Sequence, residues 1–277
     1  MSADATMEPL AQAVAAADRF WTDGACVVRG ALDATRVAEV RQAIAGLEER
    51  GELADLSSLA QLDDAGRFRA GVDHWRADPA FVEFAVRGPL PAIAAAVLRT
   101  ERLWLYEDSV LVKEAGSDAA TRWHTDDGYF HIEGRQLATL WVALDPAPLS
   151  AGALRFLERS HLDERRFRPT LFVTDDPIPR TEGELPPQHD LDGPDVIGFD
   201  LDPGDLTLHH ARTLHAASGN PGPTPRRALS IRYCGDDAVV RPKPGAPAKP
   251  GFHSCPPGTP LAEVADRLGL PEAMVTG

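Results

Sequence analysis

A histidine and an aspartate two residues apart set the strongest condition on how this chain folds. In an extended strand the side chains at positions i and i+2 lie on the same face, so His124 and Asp126 can direct a nitrogen and a carboxylate oxygen at one point. His215, far along the chain and beside a turn-rich loop, can supply a third ligand. Two histidines and one carboxylate form the facial triad of non-haem Fe(II) oxygenases, which leaves coordination positions open. The pattern therefore predicts a metal site assembled from two distant segments.

The segment around His215 carries a further feature of such a site. Arg226 follows His215 by eleven residues and opens another apolar strand. From an adjacent antiparallel strand its planar guanidinium can reach back toward the metal and hold a dicarboxylate by two parallel hydrogen bonds. His209 and His210, at the end of the preceding strand, are alternatives for the distal ligand. Arg226 is sixteen or seventeen residues from them rather than eleven, which favours His215.

Four more stretches complete a resemblance to a known family. From Phe20 to about Tyr233 the chain resembles the phytanoyl-CoA dioxygenase family of Fe(II)/2-oxoglutarate-dependent oxygenases. Besides the metal-binding pattern, the resemblance rests on Phe20–Val28, Leu111–Gly116, Leu140–Asp145 and Gly152–His161. It implies a mainly β fold with flanking helices and a double-stranded β-helix (jelly-roll, cupin-like) core.

The resemblance also implies roles for individual residues, with Fe(II) as the cofactor and 2-oxoglutarate and O2 as cosubstrates. His124, Asp126 and His215 become the iron ligands and the catalytic centre. Arg226 becomes the partner of the 2-oxoglutarate C5 carboxylate, and Trp141 falls where the family places an aromatic residue against the cosubstrate.

One position departs from the family pattern. Many relatives carry Ser or Thr two residues after the distal histidine, whereas this chain has Ala217 there and Ser218 one place later. We expect Thr139 or Lys113 to take part in cosubstrate binding instead.

The residues that directly follow the ligand strand are the candidates for substrate contact: Asp127, Tyr129 and Phe130. Asp126 itself narrows the reaction, because halogenating relatives have a small residue at that position. The resemblance therefore implies hydroxylation, or desaturation or epoxidation, of an unactivated C–H bond in a small-molecule metabolite, with release of succinate and CO2. Two alternatives stay open. One is a non-catalytic metal- and 2-oxoglutarate-binding protein of the same fold; the other is a zinc hydrolase or isomerase, which has no need for a dicarboxylate clamp.

Composition limits the partners and the compartment. A formal charge of −14 argues against a nucleic-acid partner, which needs a basic face. The chain has no run of about 18 apolar residues, so no membrane span is expected. Its first eight residues lack a basic segment followed by an apolar one, so no signal peptide is expected. The three cysteines form no pairing or metal-binding pattern, which predicts reduced thiols in a cytoplasmic protein.

The length of 277 residues, 43% of them hydrophobic, predicts one domain over 1–277. We expect N-terminal helices over about 8–100, the jelly-roll core over about 101–235 and a Pro/Gly-rich C-terminal extension over about 236–277. The amphipathic segment Leu261–Leu268 would pack over the barrel or against a partner subunit, which allows a homodimer.

Periodicity predicts the elements around the site. Helices are expected over about 8–20, from the cap Asp33 to near Gly51, and on both sides of Gly88-Pro89. Strands are expected over Ala25–Val28, Leu103–Lys113 and Gln136–Leu144, with a long proline-rich excursion over residues 162–196.

Alternate residues of the strand Leu103–Lys113 form two sets. The set with Trp104 and Tyr106 is the more apolar, and the pattern alone would direct it at a core. The resemblance places the other set inside the barrel. There we expect Glu107 and Lys113 to neutralise each other, because buried charges need partners.

Overall fold

Helical spacing of apolar residues gives way to strand periodicity near residue 100, and the computed structural model follows that change. It describes residues 7–62 and 66–275, so most of the segment considered as a signal peptide lies outside the described residues. The described residues form five α-helices: α1 (Pro9–Asp23), α2 (Ala34–Glu49), α3 (Pro79–Val86), α4 (Pro89–Leu98) and α5 (Leu261–Leu268). They form fourteen strands: β1 (Ala25–Val28), β2 (Ala54–Asp55), β3 (Phe68–Val72), β4 (Leu103–Lys113), β5 (Thr121–His124), β6 (Ile132–Glu133), β7 (Leu137–Ala143), β8 (Leu154–Leu157), β9 (Val196–Gly198), β10 (Leu206–His210), β11 (His215–Ala217), β12 (Arg226–Cys234), β13 (Val239–Val240) and β14 (Glu272–Ala273).

Local chemistry sets the helix ends, and the predicted helices are confirmed. Asp33 caps α2 by accepting a hydrogen bond from the Arg36 amide at 2.8 Å. Pro79 and Pro89 stand in the first turns of α3 and α4, where a missing N–H breaks no helical bond. Between these helices Gly88 has φ of 86°, a conformation that glycine adopts without steric cost.

Antiparallel sheets form the β part of the molecule. The largest has the order β1-β10-β7-β12-β4-β3-β2, with β14 also beside β4. A second sheet has the order β5-β11-β8-β9, and β13 pairs with β6. A cavity lined by residues of both larger sheets lies between them. The mainly β, jelly-roll fold class is confirmed, although within the described residues the sheets do not close into a barrel.

The largest sheet has two different faces, and β4 shows how its residues divide. One set packs in the apolar core that contains the helices: Trp104, Tyr106, Val110 and Val112. The other set lines the cavity side: Glu107, Ser109 and Leu111. The apolar set thus faces a core, as the pattern indicated, and the other set faces the cavity, as the resemblance implied. Leu105 is an exception and lies in the helix-side core, beside a register shift between β12 and β4.

The predicted placement of His124 and Asp126 on one strand is wrong. β5 ends at His124, and Asp126 opens the 3₁₀ turn Asp126–Tyr129. The Asp127 amide donates to the Ala211 carbonyl at 2.9 Å, a long-range bond that takes the chain out of the strand.

The C-terminal helix packs within this chain. Leu261, Val264 and Leu268 of α5 belong to the same apolar core as α1 and β4. Residues 163–195 have no helix or strand, in keeping with the predicted excursion. Across 7–62 and 66–275, no single helix has the length and apolarity to cross a bilayer; α3 and α4 together do, but only as a pair bent by 44°.

Candidate metal centre and substrate cavity

The two predicted histidine ligands stand opposite each other on neighbouring strands of the second sheet. His124 ends β5, His215 begins β11, and the two are direct cross-strand partners. Asp126 Oδ1 lies 4.0 Å from His124 Nε2 and 3.9 Å from His215 Nε2. One ligand atom from each of the three buried residues lies within 4.8 Å of the others. The structure therefore brings the predicted triad together, even though its first pair does not share a strand.

Both histidines are held in the tautomer that a metal ligand needs. His124 Nδ1–H donates to the Arg122 carbonyl at 2.7 Å and His215 Nδ1–H to the Thr213 carbonyl at 2.9 Å, so each Nε2 keeps its lone pair. Burial, followed by neighbouring histidines, lowers the pKa of His124 and of His215 to about 3, so both rings are neutral at pH 7. Within the described residues the buried His124 Nε2 has no hydrogen-bond partner. Two neutral nitrogens and a carboxylate fit Fe(II).

A row of side chains on the largest sheet holds the Asp126 carboxylate. His209 on β10 and Arg232 on β12 are both cross-strand partners of Thr139 on β7. The Thr139 hydroxyl donates to Asp126 Oδ2 at 2.5 Å, and His209 Nε2–H donates to the same oxygen at 3.3 Å. Arg232 Nη2 lies 3.9 Å from Oδ1. Burial acts to raise the pKa of Asp126, but Arg232 and the His209 hydrogen bond outweigh it and hold that pKa well below its usual range.

These contacts revise the interpretation of two residues. Thr139 lines the cavity beside the triad, but its hydroxyl contacts Asp126 rather than standing free for a cosubstrate. His209 was considered only as an alternative distal ligand, yet it lies outside the three-residue ligand cluster and supports Asp126. His210 faces the other side of β10, with its ring 5.9 Å from that of Phe20. Strand alternation could have separated the roles of His209 and His210 from the sequence, because neighbouring residues of a strand face opposite sides of the sheet.

A second polar group in the same cavity fits an anionic cosubstrate. Arg226 is buried on β12, with its guanidinium carbon 5.1 Å from the centre of the Trp141 ring. Arg226 Nε and Nη1 and Trp141 Nε1 are buried donors without an acceptor in the described part of the chain. Burial lowers the pKa of Arg226 to about 10, so the side chain stays charged at neutral pH. A buried cation with unused donors requires an anionic partner, and a carboxylate of 2-oxoglutarate matches this requirement.

Lys113 lies next to this group but not on the cavity. It is the cross-strand partner of Arg226, and its Nζ donates to the Ser218 carbonyl at 2.5 Å. Burial and the nearby Arg226 lower the pKa of Lys113 well below its usual range. The predicted pairing of Lys113 with Glu107 is wrong, because Glu107 stands six residues earlier on β4 and pairs with Arg232 and Lys249. Nor does Lys113 line the cavity in which the cosubstrate would bind.

Ala217 lines the cavity where many relatives carry a hydroxyl. Ser218 does not replace that hydroxyl, because its Oγ accepts from the Gly152 amide at 3.2 Å and donates to the Gly219 carbonyl at 3.1 Å. The cross-strand partner of Ala217 is Thr121 on β5, which is buried and lines the same cavity. Thr121 was missed by sequence reasoning, because the pairing of two distant strands cannot be deduced from either strand alone.

Phe172 restricts the space between the triad and Arg226, which measures about 20 Å³. Its ring centre lies 4.8 Å from that of His124 and 6.0 Å from that of Phe68. Its φ is 71°, a left-handed conformation that non-glycine residues adopt at an energetic cost. A space of this size holds about one water molecule. A dicarboxylate needs more space than this, and the Phe172 ring is one of the groups that limit it.

A larger cavity of about 350 Å³ opens on the other side of the triad. Tyr129 and Phe130 line it, as do residues of β3 and β4. Asp127 does not: its carboxylate lies 3.7 Å from Arg166 Nε and faces a separate cavity, so its predicted contact with the substrate needs correction. Successive residues of a 3₁₀ turn project about 120° apart, which explains why Asp126 and Asp127 face different sides. For Tyr129 and Phe130, substrate contact stays a prediction.

Comparison with known proteins adds relatives to this geometry. The model of the family described as phytanoyl-CoA dioxygenase matches residues 20–228. A probable alpha-ketoglutarate-dependent hypophosphite dioxygenase of Stutzerimonas stutzeri is 32% identical over a 133-residue alignment that covers 44% of this chain and 42% of that protein. Phytanoyl-CoA dioxygenase 1 of Oryza sativa subsp. japonica is 24% identical over 154 residues, 56% of this chain and 52% of that protein. The matches thus span about half the length of these curated relatives.

Solved structures cover more of the chain. The non-haem alpha-ketoglutarate-dependent epimerase SnoN from nogalamycin biosynthesis is 27% identical, with a TM-score of 0.67 over 91% of this chain and 96% of that one. SnoN has also been solved with Fe3+, alpha-ketoglutarate and nogalamycin RO, and that structure matches with a TM-score of 0.68. The carbocyclase SnoK from the same biosynthesis shares the fold, at 21% identity and a TM-score of 0.71 over 99% of both chains.

Proposed function

Since this chain belongs to the phytanoyl-CoA dioxygenase family, we propose that it is an Fe(II)/2-oxoglutarate-dependent dioxygenase that oxidises an unactivated C–H bond of a small molecule. Fe(II), 2-oxoglutarate and O2 are the cofactor and cosubstrates of enzymes with this fold and a His-Asp-His triad. The observation that carries the proposal is the pairing of two sites in one buried space. Three ligand atoms lie within 4.8 Å of one another, and Arg226 has buried donors without an acceptor in the described part of the chain.

The residues around the triad have separate tasks in this proposal. His124 and His215 present Nε2 to the iron because their Nδ1–H groups are held by backbone carbonyls. Asp126 presents Oδ1, because Thr139 and His209 hold its other oxygen. Iron and 2-oxoglutarate, when bound, supply the activation of dioxygen and the removal of a hydrogen atom, with succinate and CO2 as co-products. Hydroxylation is the outcome that we propose, with desaturation or epoxidation as variants.

The cosubstrate site lies at the Arg226 end of the cavity. The Arg226 guanidinium would hold the far carboxylate of 2-oxoglutarate, and Trp141, whose ring lies beside Arg226, would offer Nε1–H as an additional donor. This arrangement leaves the 350 Å³ cavity on the opposite side of the triad for the substrate.

Cytoplasmic location, a homodimer and the absence of a nucleic-acid partner also stay predictions.

The first test is spectroscopic and anaerobic. Fe(II) and 2-oxoglutarate added to the purified protein should give the weak visible charge-transfer band of a chelated keto acid. His215→Ala should abolish the band, whereas His210→Ala, which removes a buried histidine of the other face of β10, should retain it. Absence of the band in metal-loaded protein would contradict the proposal. A band without succinate release on any substrate would instead support a non-catalytic binding protein of the same fold.

The product assay must distinguish several outcomes. SnoN, at 27% identity, is described as an epimerase, so the assay should detect isomerised substrate as well as hydroxylated, desaturated or epoxidised product.

A further inference from the structure

The row of side chains that holds Asp126 continues into the substrate cavity. Arg232 on β12 is the cross-strand partner of Glu107 on β4, and Arg232 Nη1 lies 3.5 Å from Glu107 Oε1. The same guanidinium donates to the Ser109 hydroxyl. Glu107, Ser109 and Arg232 all line the 350 Å³ cavity. The carboxylate and the guanidinium at the polar end of that cavity are therefore ion-paired within the protein, while the buried Arg232 Nε keeps one donor without an acceptor in the described part of the chain.

A lysine of the C-terminal extension pairs with the same glutamate, Glu107. Lys249 is 5% exposed, and its Nζ lies 2.6 Å from Glu107 Oε2 and 2.6 Å from Asp73 Oδ2. Asp73 and Glu107 are acids and Arg232 and Lys249 are bases, so the formal charges of these four side chains cancel. Arg76, whose Nε lies 4.0 Å from Asp73 Oδ1, does not line the cavity. Among the described lining residues, the only other ionised side chain is the proposed iron ligand Asp126. The cavity thus offers a ligand no uncompensated charge.

The rest of the described wall is largely apolar. It is formed by Leu56, Val72, Leu111, Phe130, Phe172 and Pro247, among others. A charged ligand group placed against such a wall would lose its hydration without gaining a partner, which is strongly unfavourable. An apolar ligand would gain by burying its own surface there.

We propose that this cavity takes an uncharged, largely apolar small molecule, and that Glu107 excludes anions by neutralising Arg232 and Lys249. The inference rests on the proposed function, because it assigns a substrate class to the same iron site. It disfavours substrates that must place a charged group inside the cavity, such as small phosphonates and carboxylates. A hydroxyl or carbonyl group of the ligand would be accommodated at the Ser109 and Arg232 end.

The test compares ligands that differ in charge and little else. The probes are a panel of uncharged mono- and bicyclic alcohols and ketones, each paired with the carboxylate of the same ring. Binding to the anaerobic Fe(II)/2-oxoglutarate-loaded protein, and separately to the metal-free protein, is measured by equilibrium dialysis, which requires no turnover. We expect the wild-type protein to bind the uncharged members and to favour each over its carboxylate by at least about tenfold.

Glu107→Gln keeps the shape of the side chain but leaves one positive charge uncompensated in the cavity. This variant should shift the ratio of the two binding affinities, uncharged ligand to carboxylate, toward the carboxylate by at least about tenfold. Glu107→Gln combined with Lys249→Met restores the charge balance and should restore the preference for uncharged ligands, which keeps the test valid if the single variant folds poorly. Glu114→Gln, the same change in a residue that pairs with Arg69 and does not line the cavity, is the matched control.

Each outcome bears on one of the two proposals. Three results would overturn the assignment of substrate class. The wild-type protein could bind the carboxylates more tightly than the uncharged ligands, it could bind no uncharged ligand, or Glu107→Gln could leave the ratio of the two affinities unchanged. The visible band in the same samples tests the proposed function separately. If the band is absent, the dioxygenase proposal fails, while the change in affinity ratio from wild-type to Glu107→Gln metal-free protein still tests the role of Glu107, because Asp126 and Arg226 are the same in both proteins.

Discussion

The Thr121 hydroxyl and the Ala217 methyl group line the same cavity from neighbouring strands. Directly paired residues have Cβ atoms about 4.5–5.5 Å apart, so a hydroxyl on one can reach much of the space that a hydroxyl on the other would reach. Arg226 lines this cavity with unused donors. We therefore expect Thr121 to assist Arg226 in binding 2-oxoglutarate, in place of the residue that Ala217 lacks.

Exchange of these two side chains tests that expectation. Thr121→Val should raise the Kd for 2-oxoglutarate about tenfold or more, because a hydrogen bond to a charged group contributes about 1.5–3 kcal/mol. Ala217→Thr in the same background should recover much of the affinity, and Thr121→Ser should retain it. Titration of the anaerobic visible band gives each Kd. An unchanged Kd in Thr121→Val would assign the hydroxyl a purely structural role.

At the residue scale the sequence predicts the ligands better than the residues that hold them. His124, Asp126, His215 and Arg226 come together as the residue types and the family resemblance indicated. The support of Asp126 by His209 depends on the register between β10 and β7, where His209 stands opposite Thr139. Register between strands far apart in sequence is a property of the assembled sheet, so no local pattern contains it.

Elements whose ends are set by local sequence signals are predicted well, whereas the end of β5, which involves a long-range contact, is not. β4 matches the predicted strand residue for residue, because its alternation and flanking turns are local signals. The helices α2, α3 and α4 begin at a cap or a proline that the sequence displays. The end of β5 depends on the hydrogen bond from the Asp127 amide to the Ala211 carbonyl, and these residues are 84 positions apart in the sequence.

The long excursion between β8 and β9 places Phe172 beside the metal centre, where its ring contacts His124. Phe172→Ala should speed the association of 2-oxoglutarate with the Fe(II)-loaded protein by about three- to tenfold, because an aromatic pair of this kind contributes about 0.5–1.5 kcal/mol. Removal of the ring also widens the space of about 20 Å³ beside the triad. Anaerobic stopped-flow absorbance gives the rate.

Phe167→Ala is the matched control for this change. Phe167 belongs to the same excursion but packs with Trp123 and Leu214, away from the cavity that holds the triad. Equal association rates in wild-type and Phe172→Ala protein would show that another side chain limits entry.

The molecule as a whole is built around one large apolar core, which contains residues from Ala13 in α1 to Ala273 in β14. β1 pairs with β10, so the N-terminal segment adds an edge strand to the same sheet that carries Arg226. This continuity favours the predicted single domain, since helices, sheet and C-terminal extension share buried contacts. Composition alone suggested a core of this size but did not indicate that α5 would join it.

Asp108, on the helix-side face of β4, links this core to the pH dependence of stability. Burial, with Asp73 and Glu107 nearby, raises the pKa of Asp108 to about 7 against the opposing effect of the Trp75 backbone N–H. In the unfolded chain an aspartate has a pKa of about 3.9. Between these values the folded state binds the proton and the unfolded state does not, so the contribution of Asp108 to the free energy of unfolding falls as pH rises.

Asp108→Asn should remove that dependence. Relative to wild type, its free energy of unfolding should increase by about 1.4 kcal/mol more at pH 8 than at pH 6, a range that stays above the pI near 5.0, where association would interfere. Urea unfolding at the two pH values measures the difference, and comparison with wild type cancels the contributions of the buried histidines. Asp118→Asn makes the same chemical change at an exposed position and should show no such difference. If the two pH values gave equal effects for Asp108→Asn, the carboxylate would have to be ionised in the folded protein throughout this range, with the adjacent Arg232 as the cation that compensates it.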